Sequence, residues 1–166
     1  MPDDLDLMRA LVMNAVFRQD YHAAYDFDQK LVAAGKAEAN DLNGLAWETL
    51  FFDRAGGPDI ETAIKATQLS QNNPHILHTL GCLYAEVGKT KEAREVLIQA
   101  MDLQNLDEPN PDYWYALGRI AEQYGEREVA LADCAKVTTP KQALQIPNSS
   151  YRLAQNRLKV LQGPSQ

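Results

Sequence analysis

The chain has 166 residues and an ordinary globular composition, with 45% hydrophobic and 23% charged residues. This length suits one domain that buries about 70% of the surface of its extended chain. The 23 Asp and Glu outnumber the 16 Lys and Arg, giving a net charge of −7 without a basic stripe, so we expect no nucleic-acid partner. No apolar run approaches the ~20 residues that cross a bilayer, so we expect no membrane partner either.

The start of the chain and its cysteines bear on localisation. The N-terminal Met1-Pro2-Asp3-Asp4 is acidic, where a signal peptide would be basic. The sequence as written therefore predicts a cytoplasmic protein, whereas a piece of a longer exported protein would be periplasmic or secreted. Cys82 and Cys134 lack the spacing of a metal or disulfide motif. Cys134 is expected in the core, and Cys82 is expected to be the more accessible thiol.

Hydrophobic periodicity predicts an all-α chain. The predicted elements are helices at 5–17 and 21–34, helices at about 38–54 and 59–71, a helix pair within 74–104, a helix pair within 111–140, a loop at 138–148 and a last helix at about 149–162. Asp20, Asp59 and Thr90 are the predicted N-caps of second helices. Gly35 and Gly88 are the predicted residues that follow a helix C-terminus.

The last predicted helix carries its apolar side chains on one side. These are Tyr151, Ala154, Leu158 and Leu161, with Arg152, Gln155 and Lys159 pointing away. We expect this helix to cover an apolar surface that the preceding helix pair would otherwise expose.

One spacing of apolar and small residues recurs along the chain. In its best form it reads Leu77-x2-Leu80-Gly81-x2-Tyr84, followed by Ala93-x3-Leu97. The aligned positions 12, 46, 81 and 118 are separated by 34, 35 and 37 residues. The pattern resembles the tetratricopeptide repeat (TPR), with Leu in place of the usual Trp and Phe. The first unit, around Val12 and Ala24-x3-Asp28, is degenerate.

The resemblance to the TPR family, in an array of bacterial type, implies a fold. This is a right-handed superhelical solenoid of about four helix pairs plus a capping helix, in a single domain spanning residues 1–166. The repeats would lie at about 5–37, 39–73, 74–107 and 111–140, with the capping helix at about 149–162. Small residues such as Gly81 would let helices approach closely.

The resemblance also implies a concave groove, lined by first helices, that binds a peptide or protein segment. The groove positions carried over from the family are Asn40, Asn43, Trp47, Phe51, His75, His78, Cys82, Glu86, Asp112, Tyr115, Arg119 and Glu122. Aromatic rings and amide groups at these positions would suit a peptide ligand.

Two sharper interpretations of the groove are less favoured. A clamp for a peptide carboxylate would use Asn43 and Arg119, but the groove has no Lys, and Glu86 adds negative charge. Zinc or copper could take His75, His78 and Cys82, which stand at i, i+3 and i+7 with Glu86 one turn on. Ordinary groove residues explain this set better, so we expect no metal and no cofactor.

The sequence carries no motif that predicts an enzyme. No GxSxG, HExxH or Gly-rich phosphate loop is present, and Glu92, Glu95, Asp107 and Glu108 read as solvated carboxylates. The leading hypothesis is a protein-interaction scaffold with a protein or peptide partner. The alternatives are the C-terminal TPR part of a larger, exported transglutaminase-like protein, which residues 73–127 resemble, and an array that self-associates into a homo-oligomer.

Overall fold

The computed structural model describes residues 4–52, 55–138 and 149–163. Over these residues the chain forms nine α-helices, one 3₁₀ turn and no strand. The helices are α1 (Leu5–Phe17), α2 (Tyr21–Ala33), α3 (Ala39–Glu48), α4 (Gly57–Leu69), α5 (Pro74–Glu86), α6 (Thr90–Leu103), α7 (Tyr113–Gln123), α8 (Arg127–Lys136) and α9 (Ser149–Gln162). Within the same ranges no helix has the length and apolar content needed to cross a membrane. The predicted loop at 138–148 lies, except for residue 138, outside the described residues.

Three of the predicted helix ends are confirmed. Asp20 caps α2, because its Oδ1 accepts a hydrogen bond of 3.1 Å from the Ala23 N–H. Gly35 follows α2 with φ +70°, and Gly88 follows α5 with φ +79°. Both angles lie in the left-handed region, which glycine enters without a Cβ clash.

Two predicted N-caps are wrong. Helix α6 starts one residue earlier than a Thr90 cap would allow, with Lys89 at the N-cap. The Thr90 hydroxyl lies instead 2.9 Å from the Tyr124 hydroxyl. Asp59 is the third residue of α4 and accepts a 2.8 Å hydrogen bond from the Gly56 N–H. An acidic side chain in the first turn can satisfy a free N–H from inside the helix as well as from the cap.

Helix α3 is shorter than predicted. It ends at Glu48, and the chain tightens into a 3₁₀ turn at Thr49–Phe51. The Thr49 hydroxyl donates a 2.7 Å hydrogen bond to the Ala46 carbonyl, a local bond that competes with the helical pattern. The turn places Phe51 against the first helix pair, where its ring stacks on Tyr21 with centroids 3.6 Å apart.

Successive helices pair, and each pair packs on the next. The contact points are the predicted small residues. A Cβ on Gly81 would lie 2.6 Å from Leu97 Cδ2, and one on Gly118 would lie 2.8 Å from Cys134 Sγ. The four aligned alanines of the second helices, Ala24, Ala63, Ala93 and Ala130, are all 0% exposed. The fold is therefore the predicted all-α helical repeat solenoid.

Helix α9 covers the last helix pair, as expected, and also contacts the first pair. It packs on α8 and α7, and its most buried side chains are Ser150, Leu153 and Ala154. Arg152 then donates a 3.0 Å hydrogen bond to the carbonyl of Gln19, in the turn between α1 and α2. The array thus curves until its last helix touches its first pair. Of the buried α9 residues, sequence periodicity identified Ala154 and missed Leu153.

Candidate functional site

The surface formed by the predicted groove residues, which we term the inner face, is not one continuous groove. Asn40, Asn43 and Trp47 line a cavity between α1 and α3. Phe51, Glu86 and Tyr115 line a second cavity under α9. The remaining six fall into three sets. His78 contacts Cys82 and the backbone carbonyl of Asp112. Arg119 and Glu122 belong to a charged cluster, and His75 is exposed at the start of α5.

The second cavity is small because charged side chains and α9 fill that part of the inner face. Arg119 is 6% exposed and donates to both Glu86 oxygens, at 2.7 and 3.3 Å. Its other guanidinium nitrogen pairs with Glu122. From α9, Arg157 donates to Glu122 Oε2 at 2.6 Å. The Tyr115 hydroxyl completes the cluster with a 3.1 Å bond to Glu86.

This cluster leaves little for a ligand. Each charged group already has a partner of opposite sign within the chain, and the cavity between them has a volume of about 120 Å³. Arg119, the one cation of the proposed carboxylate clamp, is occupied by two carboxylates. Releasing it would leave Glu86, whose side chain is 26% exposed, without its cationic partner, which is unfavourable.

The centre of the inner face holds a buried thiol and imidazole. Cys82 is 0% exposed, like Cys134, so the expectation that it is the more accessible thiol is wrong. His78 Nε2 lies 3.5 Å from Cys82 Sγ and 3.1 Å from the Asp112 carbonyl oxygen. Burial raises the pKa of Cys82 well above its ordinary value and lowers the pKa of His78. Both groups are therefore uncharged at neutral pH.

Aromatic contacts connect this centre with its neighbours. The His78 ring lies 5.7 Å from the Trp47 ring and 4.9 Å from the Tyr113 ring. In the part of the chain that the structure describes, no three His, Cys, Asp or Glu side chains form a group that could hold a metal ion. His78 is thus engaged in packing and in one backbone hydrogen bond.

The cavity between α1 and α3 is open and larger, at about 410 Å³. Val12, Met13 and Val16 of α1 form an apolar wall, and Trp47 of α3 contributes an aromatic surface. Met13 is 54% exposed at the rim. An apolar wall beside a few polar groups is the usual composition of a ligand site.

Two buried carboxyl groups lie at the polar end of this cavity. Asp28 is 1% exposed and Glu48 is 2% exposed. Burial, helped by the charge of Asp41, raises the pKa of Asp28 to about 7. Burial and the charge of Asp28 raise the pKa of Glu48 to about 9. Perturbed carboxyl groups in a cleft are typical of functional sites.

The neighbouring carboxyl group of Asp41 behaves differently because it has a cationic partner. Arg9 Nε and Nη2 donate to it at 3.1 and 2.9 Å, and the Glu38 N–H donates at 2.8 Å. Burial acts to raise the pKa of Asp41, but these hydrogen bonds outweigh it and hold the pKa below its ordinary value. Arg9 is thereby held away from Asp28 and Glu48.

Comparison with known proteins identifies the central repeat. A family model described as tetratricopeptide repeat matches residues 74–105. These residues are a TPR. Proteins of this family serve in general as protein–protein interaction scaffolds and are typically non-catalytic. Searches of curated proteins and of solved structures give no match, so the link to a transglutaminase-like protein stays a prediction.

Alignment on the TPR shows how the two buried acids could have been found. Glu48 stands two residues after the small residue of its unit, where α5 and α7 have the buried Leu83 and Ile120. Asp28 stands four residues after the aligned Ala of α2, where the TPR has Leu97. The signal in the sequence is thus an acidic residue at each of two aligned core positions. It was missed because the first unit was described only as degenerate. Nothing in the pattern pointed to Arg157.

Proposed function

We propose that this chain is an interaction scaffold that binds a segment of a partner protein in the cavity between α1 and α3. The observation that carries the proposal is the difference between the two halves of the inner face. The cavity between α1 and α3 has a volume of about 410 Å³, against about 120 Å³ under α9. The sequence predicted a binding groove along the whole array, whereas the binding site proposed here is restricted to its N-terminal half.

The chemistry of the cavity favours a polypeptide ligand. Val12, Val16 and Trp47 offer an apolar surface for a side chain of the segment. Asn40 and Asn43 of α3 lie on the same side and present amide groups. Amides of this kind pair with the peptide N–H and C=O groups that an extended segment leaves free.

The proposal is tested by placing a charge at the cavity rim. Met13→Glu puts a carboxylate on the apolar wall, and because Met13 is 54% exposed the variant should fold. Ile98→Glu is a matched control, since Ile98 is also 54% exposed but lies on α6. Peptides selected from a displayed library against the wild-type protein should bind Met13→Glu at least about tenfold more weakly and bind Ile98→Glu unchanged. Equal binding to Met13→Glu and wild type would refute the proposal.

A second candidate function, self-association, is favoured by the outer side of α1. Leu7 and Leu11 lie one turn apart there and are 54% and 39% exposed. A second copy could bury these side chains. Light scattering should then give a dimer that Leu7→Gln/Leu11→Gln converts to a monomer. A wild-type monomer at high micromolar concentration would remove this candidate and leave the first intact.

A further inference from the structure

Three hydrogen-bond acceptors at the polar end of the cavity have no donor in the described structure. They are Asp28 Oδ2, Asn43 Oδ1 and Glu48 Oε2, each with its atom buried. All three residues line the cavity between α1 and α3. Buried acceptors without donors are rare in folded proteins. An acceptor that loses its hydrogen bonds to water and gains none in the protein raises the free energy of the folded state. Three of them at one cavity point to a ligand that supplies the donors.

The two carboxyl groups converge beside Gly44. A Cβ on Gly44 would lie 2.5 Å from Asp28 Oδ2 and 4.0 Å from Glu48 Oε1. The absence of a side chain at this residue is therefore what admits the Asp28 carboxyl group. The aligned residues of α5 and α7 are Thr79 and Ala116, so the opening belongs to this unit.

The chain's own cations do not satisfy these carboxyl groups. Arg9 is the cation among the described residues that line the cavity. Its guanidinium pairs with Asp41 at 2.9 Å and with Glu38 at 3.0 Å. A cation that pairs with Asp28 or Glu48 would therefore come from outside the residues that line the cavity. The net charge of −7 favours the approach of one.

An alkylammonium group matches this site in number and in shape. It carries one positive charge and three N–H donors and has no acceptor. The cavity has three acceptors without donors, so each donor can find one acceptor. The four-carbon stem of a lysine side chain is apolar and packs along apolar surface while its charged end finds polar partners. Val12, Val16 and Trp47 provide such a surface in the same cavity.

We propose that the polar end of the cavity binds the ammonium group of a lysine side chain of the partner segment. The Asp28 carboxylate balances its charge, and Glu48 and Asn43 accept the other two hydrogen bonds. The inference rests on the proposed function, for which it names the side chain that is recognised. It also accounts for two acids at positions where the central repeat has the buried Leu97 and Leu83.

Binding of a cation here should depend on pH. Asp28 faces Glu48 and Asp41 of α3, and Arg9 of α1 is held by Asp41. In the free protein the pKa of Asp28 is about 7, so this group is protonated at pH 6 and ionised at pH 8. Since a lysine ammonium stays charged over this range, its affinity should rise by at least about tenfold from pH 6 to pH 8.

The test uses the full chain and small probes of defined charge. The probes are Nα-acetyl-lysine methylamide, its Nε-acetylated form, the norleucine analogue and the arginine analogue. Binding is followed at pH 8 by the amide signals of Asn43 and Gly44 and the indole signal of Trp47 in ¹H–¹⁵N spectra. The lysine compound should bind at least about tenfold more tightly than the two neutral compounds, as expected for recognition of a charge by a buried carboxylate.

Matched variants complete the experiment. Asp28→Asn/Glu48→Gln replaces both carboxyl groups by amides with little change of shape and should abolish the preference for lysine. Glu95→Gln/Glu128→Gln removes two charges whose side chains are 65% and 86% exposed, and it should keep the preference. Equal binding of the lysine and norleucine compounds would overturn the inference, and so would tighter binding of the arginine compound.

The failure of this inference can be told from failure of the proposed function. If Met13→Glu weakens peptide binding but the lysine compound shows no preference, the scaffold function stands and the lysine assignment falls. If the lysine compound binds as expected but selected peptides ignore Met13→Glu, the pocket recognises a cation and the proposed function falls.

Discussion

Replacing Asp28 by Asn should stabilise the folded protein at alkaline pH. An aspartate whose pKa rises from its ordinary 3.8 to about 7 on folding binds a proton more tightly in the folded than in the unfolded chain. The unfolding free energy contributed by this group therefore falls as pH rises from about 4 to about 7. Because one pKa unit is worth about 1.4 kcal/mol, the loss reaches at most about 4 kcal/mol at pH 8 and about 1.5 kcal/mol at pH 5.

Asparagine carries no charge to bury, so Asp28→Asn should recover most of this loss. We expect a gain of roughly 2–4 kcal/mol at pH 8 and a smaller gain at pH 5, since relaxation of the folded structure lowers both values. The measurement is urea unfolding followed by circular dichroism at the two pH values. Asp102→Asn, at an exposed residue of α6, is the control and should change stability by no more than about 0.5 kcal/mol.

Two results would refute the reasoning for Asp28. Destabilisation at pH 8 would mean that the folded protein supplies a donor or a cation to this carboxyl group. Equal effects at pH 5 and pH 8 would mean that the substitution acts through packing and not through the charge.

Three further predictions concern the rest of the array. Gly81→Leu should destabilise the protein by roughly 1–3 kcal/mol in urea unfolding, because the added side chain overpacks the helix contact. Arg119→Leu should cost roughly 2–4 kcal/mol, because Glu86 loses its cationic partner and Glu122 keeps only Arg157, whereas Lys91→Ala, at a side chain that is 84% exposed, should change little. The Cys82 and Cys134 thiols, whose pKa values burial raises, should react with Ellman's reagent only on unfolding.

Each of these has a control and a contrary outcome. Gly57→Ala should be tolerated, since a Cβ there meets nothing within 4 Å; an equal loss for both glycine variants would deny a special role for Gly81. A stable Arg119→Leu variant would mean that the charged cluster is solvated. Val129→Cys, at a residue that is 48% exposed, should react at once, and equally fast reaction of the wild-type thiols would contradict their burial.

The features that were predicted well from the sequence are those that depend on residues close together in the chain, such as helix bounds and contacts within one repeat. Bounds such as 5–17 for α1 and 149–162 for α9 follow from hydrophobic periodicity, and the contact at Gly81 follows from the repeat spacing. The third helix was predicted too long because a 3₁₀ turn at Thr49–Phe51 follows Glu48 directly, and hydrophobic periodicity does not distinguish a short 3₁₀ turn from a continuing α-helix.

The sequence did not predict which part of the inner face stays open. That depends on the path of α9, whose Arg152 meets Gln19 133 residues away, and no pattern in either helix specifies this pairing. Glu86 and Arg119 were therefore expected to face a ligand, yet they face each other. The acids at Asp28 and Glu48 could have been noticed as polar residues at aligned core positions, because such a conflict between pattern and burial is typical of a functional site.

The most direct test of the account is to map a bound peptide on the inner face. A peptide selected against the wild-type protein would be titrated into ¹⁵N-labelled protein, and the shifted amide signals would be assigned. We predict that the shifts centre on α1 and α3, around Met13, Gly44 and Trp47, with the signals of α9 unchanged. Shifts centred on α5, α7 and α9 would contradict the account, because they would mean that the ligand enters the half of the inner face that α9 covers.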